Sequence, residues 1–268
     1  MNAVWLIGLG LASGAAAGLL AGLVGIGGGV VIVPVVYYGL VHSGASADQA
    51  AHVAICTSLA AILPAAIVSS IGHWREGRTD MAFLRDWGPG IAGGVVVAQF
   101  AAPHLKGAFL TGMFGLFCLL AAVRFGAPNR FRPLFEQSPN ATFRHVAGAG
   151  IGLVSGLAGV GGGILTNIVM AFSGISMHRS VGRAAAVGVV VSLPATLIAI
   201  LHSSSLQQSG QLGDINLSIW ACIAPSQAVA AWFGAQLTSR ISAEQLSRVF
   251  ALALATTGAA MLHSSLGS

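Results

Sequence analysis

The sequence predicts an all-α polytopic membrane protein made of two inverted-topology repeats. Each repeat is a Gly-broken helical hairpin plus three helices, giving about eight to ten membrane segments. Three observations lead there. The chain is 55% hydrophobic and only 7% charged, with a mean hydropathy of +0.84, too apolar for a soluble domain of 268 residues. One glycine cluster occurs twice, as Gly25-Ile26-Gly27-Gly28-Gly29 and as Gly159-Val160-Gly161-Gly162-Gly163, each interrupting an otherwise apolar run. Finally, the basic residues fall almost entirely on one side of the membrane if each broken run goes in and returns.

The glycine clusters come first because the rest aligns on them. The offset that carries Gly25 onto Gly159 also carries Gly14, Gly18 and Gly22 onto Gly148, Gly152 and Gly156, and Ser58 and Leu59 onto Ser192 and Leu193. Both halves therefore open with a GxxxGxxxG helix face suited to close packing. With small gaps, His73 aligns near His202, Asp80 near Asp214, Trp87 near Trp220 and Gln99 near Gln236. This divides the chain into a first repeat over residues 1–126, a Pro-containing cytoplasmic linker over 127–143, and a second repeat over 144–268.

In chain order, the first half reads as a Gly-broken segment from Ala3 to Val41, then helices over about Ala47 to Ile71, Trp87 to Ala102 and Gly107 to Val123. The second half repeats this over about His145 to Phe172, Val181 to Leu201, Ile215 to Leu237 and Ala243 to Leu262. If each broken segment crossed once, the halves would be parallel. Arg179, Arg183, Arg240, Arg248 and Lys106 would then lie outside. If each goes in and returns, the second half inverts and, of the 12 Lys and Arg residues, Lys106 alone stays outside. The second arrangement is adopted, with both termini periplasmic. The formal net charge of +5 is accounted for by this topology, so nucleic acid is not an expected partner. Cys56, Cys118 and Cys222 are far apart in sequence and are expected as free thiols. Neither metal nor cofactor is expected.

The glycines admit two readings, close helix packing or a break in the helix that lines a transport path. Their matched positions in the two halves favour the break. A helix restarting at Val30 or Ile164 would offer free N-terminal amides and the positive end of its dipole, which suit an anion. The candidate substrate-binding residues are accordingly Gly25, Gly27, Gly28, Gly29, Gly159, Gly161, Gly162 and Gly163. Thr57, Ser58, Thr166, Asn167 and Ser192 are added as neutral donors that would otherwise serve as interhelical hydrogen-bonding groups. Pro64 and Pro194 would kink the second main helix of each half, as static bends or as gates. His52 is either a proton carrier or a structural histidine. Arg183 would anchor the cytoplasmic side or attract the anion, and Asp80 and Asp214 are read as helix caps. The seven acids, Asp48, Glu76, Asp80, Asp86, Glu136, Asp214 and Glu244, all fall in loops or at segment ends. This leaves no mid-membrane carboxylate to hold Na⁺.

These residues carry a family resemblance. GLVGIGGG and GLAGVGGG, the Thr57-Ser58-Leu59 region, the HWREGRTD loop from His73 to Asp80 and the duplication are similar to the TauE/SafE family of sulfite exporters. The resemblance implies transport, often outward, of sulfite, sulfoacetate or related organosulfur anions across the bacterial inner membrane. It leaves the cargo open, and the sequence sets neither the coupling ion nor the oligomeric state. Val191 stands where the first half has Thr57, so the two half-sites differ chemically.

Two other functions compete. Gly152-Leu153-Val154-Ser155-Gly156 has the form of a serine nucleophile turn, with His178 or His202 as base, although Ser155 falls on Ala21 of the other repeat and within the packing face. A thiosulfate carrier using Cys56, or a passive anion channel, is the nearer rival. No catalytic residue is assigned.

Overall fold

The chain rises and falls through ten helices among the described residues, which in this computed structural model are 3–25, 27–77, 79, 81–126, 140–173, 177–201, 210–237 and 243–266. The first half holds α1 (Ala3–Val24), α2 (Gly29–His42), α3 (Ala47–Arg75), α4 (Met81–Ala101), a single 3-10 turn (Ala102–His104) and α5 (Gly107–Gly126). The second holds α6 (Ala141–Ala158), α7 (Gly163–Phe172), α8 (Met177–Leu201), a two-stranded hairpin (β1 Gln211–Leu212, β2 Ile215–Asn216), α9 (Leu217–Leu237) and α10 (Ala243–Leu266).

Both expected breaks occur at the glycine clusters. They leave α2 with 14 residues and α7 with 10, or roughly 21 and 15 Å of helix, too short for a hydrocarbon core of about 30 Å. Four helices among the described residues are long and apolar enough to cross: α3, α5, α9 and the Ser180–Leu201 part of α8.

Several boundaries differ from the apolar runs. Helix α4 begins at Met81 rather than Trp87, because Arg85 and Asp86 hide the helix from hydropathy while Arg144 pairs with Asp86 at 2.7 Å. Helix α6 begins at Ala141, where Asn140 caps it by accepting from Phe143 N at 2.8 Å. Helix α9 is capped by Asn216, whose Oδ1 accepts from Ile219 N at 3.0 Å. That role was expected of Asp214, whose own amide instead donates to Ala199 O. Asp80 and His202 lie outside the described residues. Pro64 and Pro194 sit inside α3 and α8 as expected, joined by Pro34, Pro89 and Pro225 inside α2, α4 and α9.

The helices pack in a pattern that survives exchange of the halves. α1 lies against α9 as α6 lies against α4, α3 meets α9 as α8 meets α4, and α2 meets α3 as α7 meets α8. α3 with α8, and α5 with α10, are the pairs that map onto themselves. The halves are thus interleaved, since α1, α3, α4 and α5 each have their main partner in the other half.

The GxxxGxxxG faces explain the first of these pairs. A Cβ built at Gly14, Gly18 or Gly22 would lie 2.6, 2.2 or 2.2 Å from the carbonyl oxygens of Ile223, Gln227 and Ala231. On α6, a Cβ at Gly148 or Gly152 would lie 3.0 or 2.0 Å from the carbonyls of Trp87 and Ile91. Backbone touches backbone here, which only glycine permits. The same contacts fix the correspondence of α4 and α9: Trp87 matches Ile223 rather than Trp220, and Gln99 matches Ala235 rather than Gln236. Large apolar side chains such as Val97, Phe100, Leu120, Phe233 and Leu252 point outward, whereas Thr57, Ser58, Thr166, Asn167, Ser192 and Gln227 are buried. That polarity is inverted relative to a soluble protein and fits a lipid surround.

Candidate functional site: the crossing of the glycine breaks

The two breaks meet each other. A Cβ built at Gly27 would lie 3.1 Å from Gly161 Cα, and one at Gly161 would lie 3.3 Å from Gly27 Cα. These are equivalent positions of the two halves. Next to them, a Cβ at Gly29 would reach 2.5 Å from Gly159 O, so the second break also backs the start of α2. Ile62 of α3 closes the crossing on one side, its Cγ2 lying 3.2 and 3.0 Å from the positions a Cβ would take at Gly27 and Gly161.

The backbone at the breaks is left-handed where the helices restart. Gly28 and Gly162 are the N-caps of α2 and α7, with φ of 77° and 75°, a conformation that costs an L side chain about 1–2 kcal/mol. Neither cap offers a side-chain acceptor, so the first turn's amides must look elsewhere. Among the described residues, the amides of Gly29 and Val30, and of Gly163, Ile164 and Leu165, have no acceptor. α2 and α7 thus restart at Gly29 and Gly163, each one residue ahead of the expected start, and present adjacent unpaired donors from largely buried residues.

The predicted polar residues divide by what they touch. Ser58 belongs to the crossing: its Oγ donates to Gly159 O at 2.8 Å, fully buried. Thr166 Oγ1 donates to Gly162 O at 2.9 Å, which ties up the N-cap carbonyl of its own helix. Ser192, the counterpart of Ser58, turns back to Gly188 O within α8 at 2.6 Å. Asn167 accepts from Ser180 Oγ and links α7 to α8. Thr57 accepts from Asn216 N at 3.0 Å and holds the β-hairpin instead of the break. Val191, at the position equivalent to Thr57, packs against Gly162, where a Cβ would come within 2.9 Å of its Cγ2.

His52 lies apart from the crossing. Its Nδ1 faces Asp48 O at 2.8 Å and its Nε2 faces Ala102 O at 2.9 Å, joining α3 to the 3-10 turn. With Ile55, Cys56, Gln99 and Asp214 it borders a cavity of about 20 Å³, room for about one water. Ile55 connects this cavity to the crossing, since its Cα would lie 3.0 Å from a Cβ at Gly159. Arg183 is engaged by protein groups, over the Phe83 ring at 5.0 Å and against Met170 Sδ. The three cysteines are free.

Sequence reasoning missed two residues of the crossing. Ile62 carried no signal beyond its apolarity. Gln227 did carry one, as an uncharged polar residue in the middle of the apolar α9. It is completely buried and its Nε2 donates to Gly27 O at 2.8 Å. The exchange of halves puts Ile91 in its place at the other break, so the second break has no equivalent donor there.

Ser155 is buried in the last turn of α6 and does not occupy a strand-to-helix turn. Among the described residues, no group of three or more His, Cys, Asp and Glu side chains could hold a metal ion.

Comparison with known proteins points the same way. The sulfite exporter TauE/SafE family matches residues 10–261. A protein of Haemophilus influenzae, named a probable membrane transporter protein, is 27% identical over 243 residues, covering 90% of this chain and 92% of that one. A protein of the same description from Methanocaldococcus jannaschii is 23% identical over 253 residues, covering 91% of each chain. No solved structure matches. With the family match spanning nearly the whole chain and the relatives aligned end to end, the protein belongs to the TauE/SafE sulfite exporter family and is a membrane transporter, not an enzyme.

Proposed function

We propose that the protein exports small sulfur oxyanions or organosulfonates, such as sulfite or sulfoacetate, by alternating access around the paired glycine breaks. The observation that carries this is the meeting of Gly27 with Gly161, which sets the unpaired amides at the starts of α2 and α7 beside one crossing. Amides and the positive dipole ends bind an anion without a permanent intramembrane cation. The interleaved packing, unchanged on exchange of the halves, supports two inverted repeats that rock against each other about α3 and α8. The basic residues support a bacterial inner-membrane topology with both termini periplasmic and the Arg-rich seam cytoplasmic.

Export needs no cation site. A potential that is negative inside assists expulsion of an anion by about 2.3 kcal/mol per charge per 100 mV. Cytoplasmic arginines would raise the local anion concentration, an effect that salt weakens. The test is flux of radiolabelled sulfite or sulfoacetate in proteoliposomes, imposing potential, pH and Na⁺ gradients one at a time. Potential- or proton-driven anion flux is expected. Strict Na⁺ dependence, or movement of cations alone, would overturn the reading.

A thiosulfate carrier acting through Cys56 is the second reading, favoured by the buried thiol beside the small cavity next to Gly159. Replacing the three cysteines by alanine separates the two. Thiosulfate flux lost with sulfite flux intact would favour the thiol route.

A further inference from the structure

The carboxamide of Gln227 is only half used. Its Nε2 is committed to Gly27 O at 2.8 Å, which fixes the orientation of the group, because a flipped amide would set two carbonyl oxygens against each other. Its Oε1 is fully buried and has no hydrogen-bond partner. A Cβ built at Gly28, the N-cap of α2, would lie 2.8 Å from Gln227 Nε2, so the carboxamide stands at the start of that helix. The first break therefore holds two kinds of group: unpaired N–H donors at the start of α2, with those of α7 across the Gly27–Gly161 contact, and one unpaired acceptor on the carboxamide that abuts Gly28. A buried acceptor left without a donor is costly, and native proteins rarely leave one unpaired.

An anion made only of acceptor atoms would satisfy the amides and leave Gln227 Oε1 unpaired. One that also carries a hydroxyl or N–H satisfies both. We propose that Gln227 is the specificity-determining residue of this site, and that its Oε1 selects oxyanions bearing a hydrogen-bond donor, such as a protonated oxyanion or a hydroxyalkyl- or aminoalkylsulfonate, over donor-free analogues. This rests on the reading of the glycine crossing as the anion site. It also predicts an asymmetric site, because Ile91 occupies the equivalent place at the other break.

The matched pair 2-hydroxyethanesulfonate and ethanesulfonate tests it, since they differ by one hydroxyl and share charge and headgroup. Competition by each against radiolabelled 2-hydroxyethanesulfonate is measured in proteoliposomes. The wild-type protein should prefer the hydroxylated anion by about tenfold or more, the scale set by leaving a buried polar group unpaired. Gln227→Met, which keeps the side-chain length and removes the acceptor, should bring the ratio close to one. The wild-type comparison stands even if this variant folds poorly, and Gln227→Leu provides a second replacement. Equal competition by the two anions in wild type, or a preference that survives in a folded Gln227→Met protein, overturns the inference while leaving the anion site in place. Failure of the protein to move or bind either anion, or hydrogensulfite, overturns the underlying reading and the inference with it.

Discussion

Ile62 offers a test of how tightly the crossing is built. It is fully buried, and its Cγ2 closes over both Gly27 and Gly161. Gly161 has no positive φ, so alanine meets no backbone penalty there and the whole cost of Gly161→Ala is steric. The new methyl would sit 3.0 Å from Ile62 Cγ2, against about 3.5–4.0 Å for a relaxed carbon contact, so one side must yield by roughly half an ångström or more. Overpacking of this kind costs about 1–3 kcal/mol. Ile62→Ala alone should cost about 2–5 kcal/mol through lost burial and a cavity. In the double variant the new methyl occupies part of that cavity and its clash with Ile62 is gone, leaving only the 3.3 Å approach to Gly27 Cα, so the pair should cost less than the sum by about 1 kcal/mol or more. Gly27→Ala must behave differently. Its φ of 83° adds about 1–2 kcal/mol of backbone strain that no change at position 62 can relieve, so Ile62→Ala should rescue it less completely. Unfolding of the detergent-solubilised protein gives the stabilities, and proteoliposome flux should follow the same order. Additivity to within about 0.5 kcal/mol, or equal rescue at positions 27 and 161, would refute the geometry.

The other predictions concern the same framework. Ser58→Ala removes the hydrogen bond to Gly159 O and should cost about 1 kcal/mol with a measurable fall in flux, whereas Ser192→Ala, which loses only a bond within its own helix, should change flux little. Gly152→Ala forces a methyl to 2.0 Å from Ile91 O and should destabilise by about 2 kcal/mol or more. Gly150→Ala, with nothing within 4 Å, should be neutral or slightly stabilising; thermal unfolding of the two compares them. Gly161→Val should insert normally but abolish transport, and wild-type flux would separate the crossing from the path. Reporter fusions should place a tag after Ser268 in the periplasm and one near Arg130 in the cytoplasm. Cytoplasmic signals from both would return the parallel arrangement.

The features legible in the sequence are those that obey local rules applied twice. Three glycines in a row break a helix wherever they occur, and their recurrence at a fixed offset marks both breaks without any knowledge of the fold. The GxxxGxxxG faces announce close packing in the same way. They do not name the partner, because Gly18 contacts Gln227 O through backbone atoms that any sequence could supply. Partner choice is a tertiary property, and it is also why the alignment of α4 with α9 slipped from Ile223 to Trp220: side-chain identity suggested one register and backbone packing selected another. The polar residues misled for a related reason. Thr57 and Ser58 are adjacent, but the helix turns them about 100° apart, which sends Thr57 to the hairpin and Ser58 to the break.

The chemical asymmetry of the crossing arises from the same separation between repeat and side chain. The matching backbone of the two halves means that both breaks restart a helix behind a left-handed glycine and both leave amides unpaired. Side chains then diverge on that common frame: Gln227 against Ile91, Thr57 against Val191, and Ser58 reaching across where Ser192 turns back. A strictly symmetric site would present the same donors from two directions. This one pairs a break supported by a carboxamide with a break supported by a hydroxyl. On the proposed reading, an anion at the crossing would meet two different half-sites, and its orientation, not only its charge, would contribute to how well it is held. Substitutions at Gln227 and at Ser58 should accordingly change the ranking of substrates in different ways, whereas substitutions of the shared glycines should lower all of them together.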